Sequence, residues 1–313
     1  MRLSKKEINQ SLIFKKKDSI LEILVEKGSV FSRVNLIETL NELKHLNILR
    51  ASQEYKNFVE TLIELEIFEE VRFELPNQST TFRYVLTEGI SPSVHPFELA
   101  LSLLPNSYLS HYSALFLNNL TNNFSKEIFI NREQTKKPVD PENFLTQKKI
   151  DYAFSRPMRR TNQIASFHYK NQEYFVHMLN GKQTGSLGVT TKKTSYLSQK
   201  VRVTNLERTL IDCVVRPNYA GGPQEIIHAF KEATEDVSVN RLIKYLNNLD
   251  YKYPYQNLLA FYMIENDYRK DSLDLIEKLI DLEFTMYIGY QILSKEHHLK
   301  SNVYYPKKLL IRE

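Results

Sequence analysis

Residues 203–233 read VTNLERTLIDCVVRPNYAGGPQEIIHAFKEA, and their punctuation marks two helices joined by a tight turn. Thr204-Asn205-Leu206-Glu207 has the form of a capping box. The Thr204 hydroxyl can accept from the backbone N–H of Glu207, whose carboxylate can reach back to the N–H of Thr204. Leu206, Leu210, Cys213 and Val214 then fall on one helical face. Arg208 and Asp212 stand at i, i+4, where opposite charges meet. Arg216-Pro217 ends the helix, because the residue before a proline is pushed out of the helical region. Gly221-Gly222 makes the turn, and Pro223 suits the first position of the next helix, which carries an apolar stripe of Ile226, Ile227, Phe230 and Ala233. Thr204, Glu207, Arg208, Asp212, Gly221 and Gly222 are therefore read as structural. Glu207 and Asp212 lie five apart, too far round a helix to work as a carboxylate pair.

Downstream, helical patterns cover 238–249, 254–265 and 272–283, and the tail holds one strand candidate near 303–305. Upstream, between about 126 and 203, short β-type runs are separated by turns: KEIFINR, KIDYAFS, ASFHY, EYFVHML, SLGVTT and QKVRV. Helices are expected over 97–104 and 110–120. TEGISPSVHP, residues 87–96, reads as a linker, with two prolines and one glycine.

Residues 1–90 form a separate pattern. Asp18–Lys27 is amphipathic, with Ile20, Leu21, Leu24 and Val25 inward and Gly28 placed to end it. Ser32 can cap a second helix bearing Val34, Ile37, Leu40 and Leu43. Ser52 can cap a third, bearing Tyr55, Phe58, Val59, Leu62 and Leu65. Two β-rich runs, 69–75 and 80–86, flank a Pro-Asn-Gln-Ser turn. Three helices and a hairpin are the order of a winged helix-turn-helix. The expected fold is thus α+β: a winged helix over 1–90, then a larger mixed α/β domain over 91–313.

Hydrophobic content is 42% and charged content 25%, an ordinary globular balance. No apolar run approaches the ~18 residues a membrane helix needs. The basic N-terminus lacks a secretory core, and the one cysteine, Cys213, excludes an internal disulfide. A cytoplasmic protein without a membrane partner is expected. The net charge of +5 is uneven: residues 131–210 hold fifteen Lys/Arg against six Asp/Glu, and residues 1–17 six against one. Such footprints suit polyanions or an acidic protein.

On the winged-helix reading, a recognition helix from Ser52 would present Gln53, Lys56 and Asn57 to base edges. Lys5, Lys6, Lys15, Lys16, Lys17, Arg33 and Arg50 could neutralise phosphates. Against it, the stretch from Arg50 to Leu75 has three basic and seven acidic residues. In the central segment Arg156, Arg159, Arg160, Lys192 and Lys193 are candidates for docking an acidic partner, phosphate contacts being the alternative and a plain solvated face the simplest reading. No phosphate-binding glycine loop and no His-Glu-x-x-His motif occurs. Neither a metal, a cofactor nor a catalytic residue is expected, and nothing positive points to an enzyme. Cys213 and His111 read as core residues, His111 with partner recognition as its alternative.

The motif V-x-V-T-x-x-E-R-T-L-I-D-C followed by R-P-x-Y-A-G-G, with YLSHYSALFLNNL at 108–120, resembles the AbiEi-type antitoxins of type IV toxin–antitoxin (abortive infection) systems. The resemblance spans about residues 96–233. It implies an N-terminal winged helix that binds promoter DNA with inverted repeats and represses its own operon. It also implies a C-terminal domain that counteracts a nucleotidyltransferase-like toxin. The alternative from a different class of role is a stand-alone winged-helix transcription regulator with no toxin partner.

Overall fold

The computed structural model describes residues 11–135 and 144–309. In chain order the elements are α1 (Leu12–Lys15), α2 (Lys17–Lys27), β1 (Val30–Phe31), α3 (Arg33–His45), α4 (Tyr55–Glu64), β2 (Phe68–Glu74), β3 (Thr80–Leu86), α5 (Pro96–Leu101), β4 (Tyr108–Leu109), α6 (His111–Leu117), β5 (Glu127–Glu133) and α7 (Gln147–Ser155). Then follow β6 (Ile164–Tyr169), β7 (Gln172–Gly181), β8 (Val189–Lys192), β9 (Val201–Thr204), α8 (Leu206–Val215), a 3-10 turn (Pro217–Tyr219), α9 (Pro223–Glu232), α10 (Val239–Leu249), α11 (Tyr255–Glu265), α12 (Lys270–Glu277), β10 (Met286–Tyr287), β11 (Lys295–His298) and β12 (Val303–Pro306). The fold is α+β. None of the helices described is long and apolar enough to cross a membrane.

The chain divides into two interleaved compact units. One comprises Met1–Asn106, Asn162–His177 and Thr191–Val201, and the other Ser107–Thr161, Met178–Thr190 and Arg202–Glu313. The first unit thus runs past residue 90 and takes back two later segments.

In the first unit α2, α3 and α4 enclose a core that includes Ile20, Leu24, Leu36, Leu40, Leu43, Phe58 and Leu62. Ser32 caps α3 in a reciprocal capping box with Asn35. Ser52 does not cap α4. That helix begins at Tyr55 with Glu54 at its N-cap and no side-chain bond there, because residues 51–54 are spent on a turn. Val34 and Ile37 point outward, 63% and 37% exposed, and the turn of α3 that faces the core is carried by Leu36 instead. Val25 is also exposed, at 39%. The β2–β3 hairpin pairs from Phe68↔Leu86 to Glu74↔Thr80. It is not a free-standing wing, since Phe73↔Phe167 and Glu74↔Ser166 tie its tip to β6, which continues into β7. Glu98, 2% exposed, anchors one returning segment. Its carboxylate accepts from the N–H of His95, Ser198 and Gln199 and from the Ser198 hydroxyl.

In the second unit β4 pairs antiparallel with β5 and parallel with β9. Helices α8 to α11 build the core; α8 is buried nearly all round, including Cys213. The run KIDYAFS, expected as a strand, lies in α7. Thr146 caps it by accepting from Lys149 N, and Ile150 and Phe154, four apart, bury one face, so the helical period prevails over the alternation. The helix expected over 272–283 ends at Glu277.

Helix α8 is capped differently from the expected box. Thr204 ends β9, and it is the Asn205 side chain that accepts from Arg208 N. The Thr204 hydroxyl meets Thr209 Oγ1 at 2.7 Å. The Glu207 carboxylate turns away to accept from Ser238 N at 3.0 Å, at the start of α10, and to meet Arg241 at 3.4 Å. A carboxylate at a helix N-terminus satisfies an orphan donor and opposes the helix dipole. Gly221 and Gly222 take φ 81 and 90, a left-handed turn that favours glycine.

Candidate functional site

The two motif blocks of the sequence, 108–120 and 203–222, pack together in the second unit. Asn118 at the end of α6 donates to Thr204 O and to Thr209 Oγ1. The Tyr108 hydroxyl accepts from Asn131 Nδ2 at 3.0 Å. The same unit holds a cavity of about 500 Å³, with His111, Asn131, Gln134, Arg159, Arg160, Lys182, Arg208, Asp212, Arg216, Tyr219 and Tyr251 among its walls.

Its floor is an ion pair. Arg208 Nε and Asp212 Oδ1 are 2.8 Å apart, with side chains only 4% and 6% exposed. Arg208 also donates to Leu187 O at 2.8 Å. Burial works against its charge, but Asp212, Tyr251 and Tyr108 together outweigh it and raise its pKa. Gly188 lets this happen, because a Cβ there would stand 2.6 Å from Arg208 Cβ. Glu133 organises the neighbouring loop, accepting from the N–H of Thr184 and Ser186 and from the Thr184 hydroxyl. Burial would raise its pKa, but these donors outweigh burial and lower it.

Among the described residues, Asp212 Oδ2 and Asn131 Oδ1 are buried acceptors without a hydrogen-bond partner. Both residues line the cavity and are 5% exposed. His111 stands beside them in a left-handed conformation, φ 49, with its Nδ1 2.9 Å from Ser110 Oγ. Burial pushes its pKa down to about 4, so the ring is neutral. Tyr219 meets His111 edge-on at 5.5 Å and accepts from Thr161 N at 2.6 Å. The rim is cationic: Arg159, Arg160, Lys182 and Arg216 all reach solvent.

Of the residues singled out in the sequence, His111, Arg159, Arg160, Arg208 and Asp212 meet at this cavity. Arg156 instead stacks over Tyr152 at 4.2 Å. Lys192 and Lys193 belong to the first unit, where Lys193 bonds Leu197 O. The central basic segment is therefore divided between units. Asn131, Gln134 and Tyr251 were missed, since single polar and aromatic residues far apart in sequence carry no local pattern, whereas Tyr219 lay in the R-P-x-Y-A-G-G block without being assigned a role. Among the described residues no group of three or more His, Cys, Asp or Glu side chains is placed to hold a metal ion.

In the first unit, Lys15 and Lys16 are exposed and Lys17 pairs with Glu88 at 2.7 Å. Lys5 and Lys6 lie outside the described residues. Arg33 stacks over Tyr55 at 5.5 Å, and Arg50 and Lys56 are exposed. Gln53 donates to Asn57 at 2.7 Å, so these two amides engage each other on α4.

No family model and no curated protein matches the chain. A solved structure, the RV2827C protein from Mycobacterium tuberculosis, is similar with a TM-score of 0.52 over 93% of this chain and 91% of its own, at 11% sequence identity. At that identity the likeness shows the fold alone.

Proposed function

We propose that this protein is the antitoxin of a type IV toxin–antitoxin pair, counteracting a nucleotidyltransferase-like toxin and repressing its own operon. One observation carries the reading. The two sequence blocks that resemble AbiEi-type antitoxins, about ninety residues apart, close into a single junction through Asn118 and Thr204. A chance match in either block would not require them to meet. The operator-binding half rests on the order of α2, α3, α4 and the β2–β3 hairpin, with Arg33, Arg50 and Lys56 on the outside. The tied hairpin leaves base contact to α4 and phosphate contact to the lysines at 15–17.

Co-expression with a neighbouring nucleotidyltransferase-like gene tests the first half. Growth should be rescued by this chain, and a toxin that stays lethal in its presence refutes the reading. Gel-shift titration on the chain's own promoter tests the second. Affinity should fall roughly a thousandfold between about 50 and about 200 mM salt if six or more phosphates are contacted. A salt-insensitive shift, or none, removes the DNA role.

A further inference from the structure

We propose that the cavity of the second unit is a binding site for a small nucleotide, a nucleoside 5′-phosphate. Three features of the cavity select this chemistry together. First, Asp212 Oδ2 and Asn131 Oδ1 are buried acceptors with no partner among the described residues. A buried polar atom left so is costly, and what satisfies it must bring N–H or O–H donors. A ribose diol or an exocyclic base amine does so. Second, the rim is cationic. Arg159, Arg160 and Arg216 are solvent-exposed around the opening, Lys182 beside them donates to the carbonyls of Leu249 and Asp250, and the single carboxylate of the lining is already paired to Arg208. Guanidinium groups in such number favour a phosphate over a neutral ligand. Third, the aromatic rings of Tyr219, Tyr251 and the neutral His111 belong to the lining of the cavity. These are flat surfaces on which a base can stack.

The volume, about 500 Å³, falls in the range of small-molecule sites. A metabolite with a phosphate but no donor edge would leave the floor unsatisfied. A neutral nucleoside would leave the rim unused. The site does not depend on the antitoxin assignment, and it holds equally for a stand-alone regulator.

The test is calorimetric titration of the full chain with the four ribonucleoside 5′-monophosphates, their triphosphates, the parent nucleosides and inorganic phosphate. At least one nucleotide should bind saturably, and roughly tenfold or more tighter than both its nucleoside and inorganic phosphate. Replacing both rim arginines (Arg159→Ala with Arg160→Ala) should weaken nucleotide binding by roughly tenfold or more and leave the melting temperature unchanged, since both side chains are exposed. Asn131→Ala should weaken nucleotide but not inorganic phosphate. If that variant loosens the fold through Tyr108, the arginine pair alone decides. No saturable binding of any nucleotide overturns the proposal. So does inorganic phosphate binding as tightly as the nucleotides, which would leave only a general anion patch, or nucleotide affinity untouched by the arginine replacements.

Discussion

Replacing Asp212 by alanine isolates the energetics of the buried pair. The side chains of Arg208 and Asp212 are 4% and 6% exposed, and their atoms meet at 2.8 Å. Removing one partner of such a pair strands a charge, at a cost of about 3–5 kcal/mol. Two features of the site favour the lower end. Arg208 keeps its bond to Leu187 O at 2.8 Å, and Asp212 borders an open cavity from which water can enter. The expected loss for Asp212→Ala is therefore about 3 kcal/mol. The double variant Arg208→Met with Asp212→Leu removes both charges, leaves the Leu187 carbonyl without its donor at a cost of about 1 kcal/mol, and takes a long contact from Thr184 Oγ1, which still accepts from Leu187 N. The double variant should thus be more stable than the single one. The protein has no tryptophan, so urea unfolding is best followed by far-UV circular dichroism. Hydrogen exchange of peptides covering α8 would assign the change to that helix, since two units need not unfold together. A single variant that loses less than about 1 kcal/mol, or a double variant no more stable than the single, refutes the view that a desolvated charge is what Asp212 neutralises.

Acid should weaken the second unit through His111. Burial lowers its folded pKa from 6.5 to about 4, with Asp212 opposing and Arg216 and Arg208 reinforcing. The unfolded chain therefore takes up the proton first. The contribution is fully present above pH about 6.5 and is lost as pH falls toward about 4, amounting to about 3 kcal/mol; His111→Gln should flatten that slope in urea titrations at stepped pH. His95 in the first unit is lowered in the same sense, chiefly by burial, so a residual slope should persist in that variant. Gly188→Ala should destabilise by about 2–5 kcal/mol, because φ 71 is strained for alanine and its Cβ would meet Arg208 Cβ at 2.6 Å; an unchanged melting curve would contradict it. Glu98→Ala should cost at least about 2 kcal/mol by stripping the N–H groups of His95, Ser198 and Gln199 of their acceptor, measured as faster exchange over 191–201.

Much of the local architecture was legible because its signals are short-range. The Ser32 cap, the Arg216-Pro217 stop, the Gly221-Gly222 turn and the Pro223 start each involve neighbours in sequence. The misreadings around α7 and α8 share a physical cause, which is that competing local partners are nearly equivalent on paper. Asn205 outcompetes Thr204 as the cap of α8 because Thr204 is already committed to β9. Glu207, free of the box, finds Ser238 N, a partner thirty-one residues away. KIDYAFS alternates well enough for a strand, but Ile150 and Phe154 lie four apart and the core selects the helix. The cavity was least legible. Arg208 and Asp212 announce themselves as an i, i+4 pair, whereas nothing near Asn131 or Tyr251 in sequence says that they will face the same space.

The interleaving of the first unit has a bearing on biosynthesis. Strands β6 and β7 and the segment held by Glu98 are translated long after Asn106, so this unit cannot be finished when its own N-terminal portion leaves the ribosome. At about 5–20 residues per second, the interval before residue 201 is added is on the order of 5–20 s. For the part of that wait before β6 is complete, on the order of 3–13 s, the outer edge of β2 at Phe73 and Glu74 lacks its β6 neighbour, and an unpaired strand edge is a template for wrong partners. A nascent chain stalled near residue 106 should accordingly be the most chaperone-dependent stage in this protein's production.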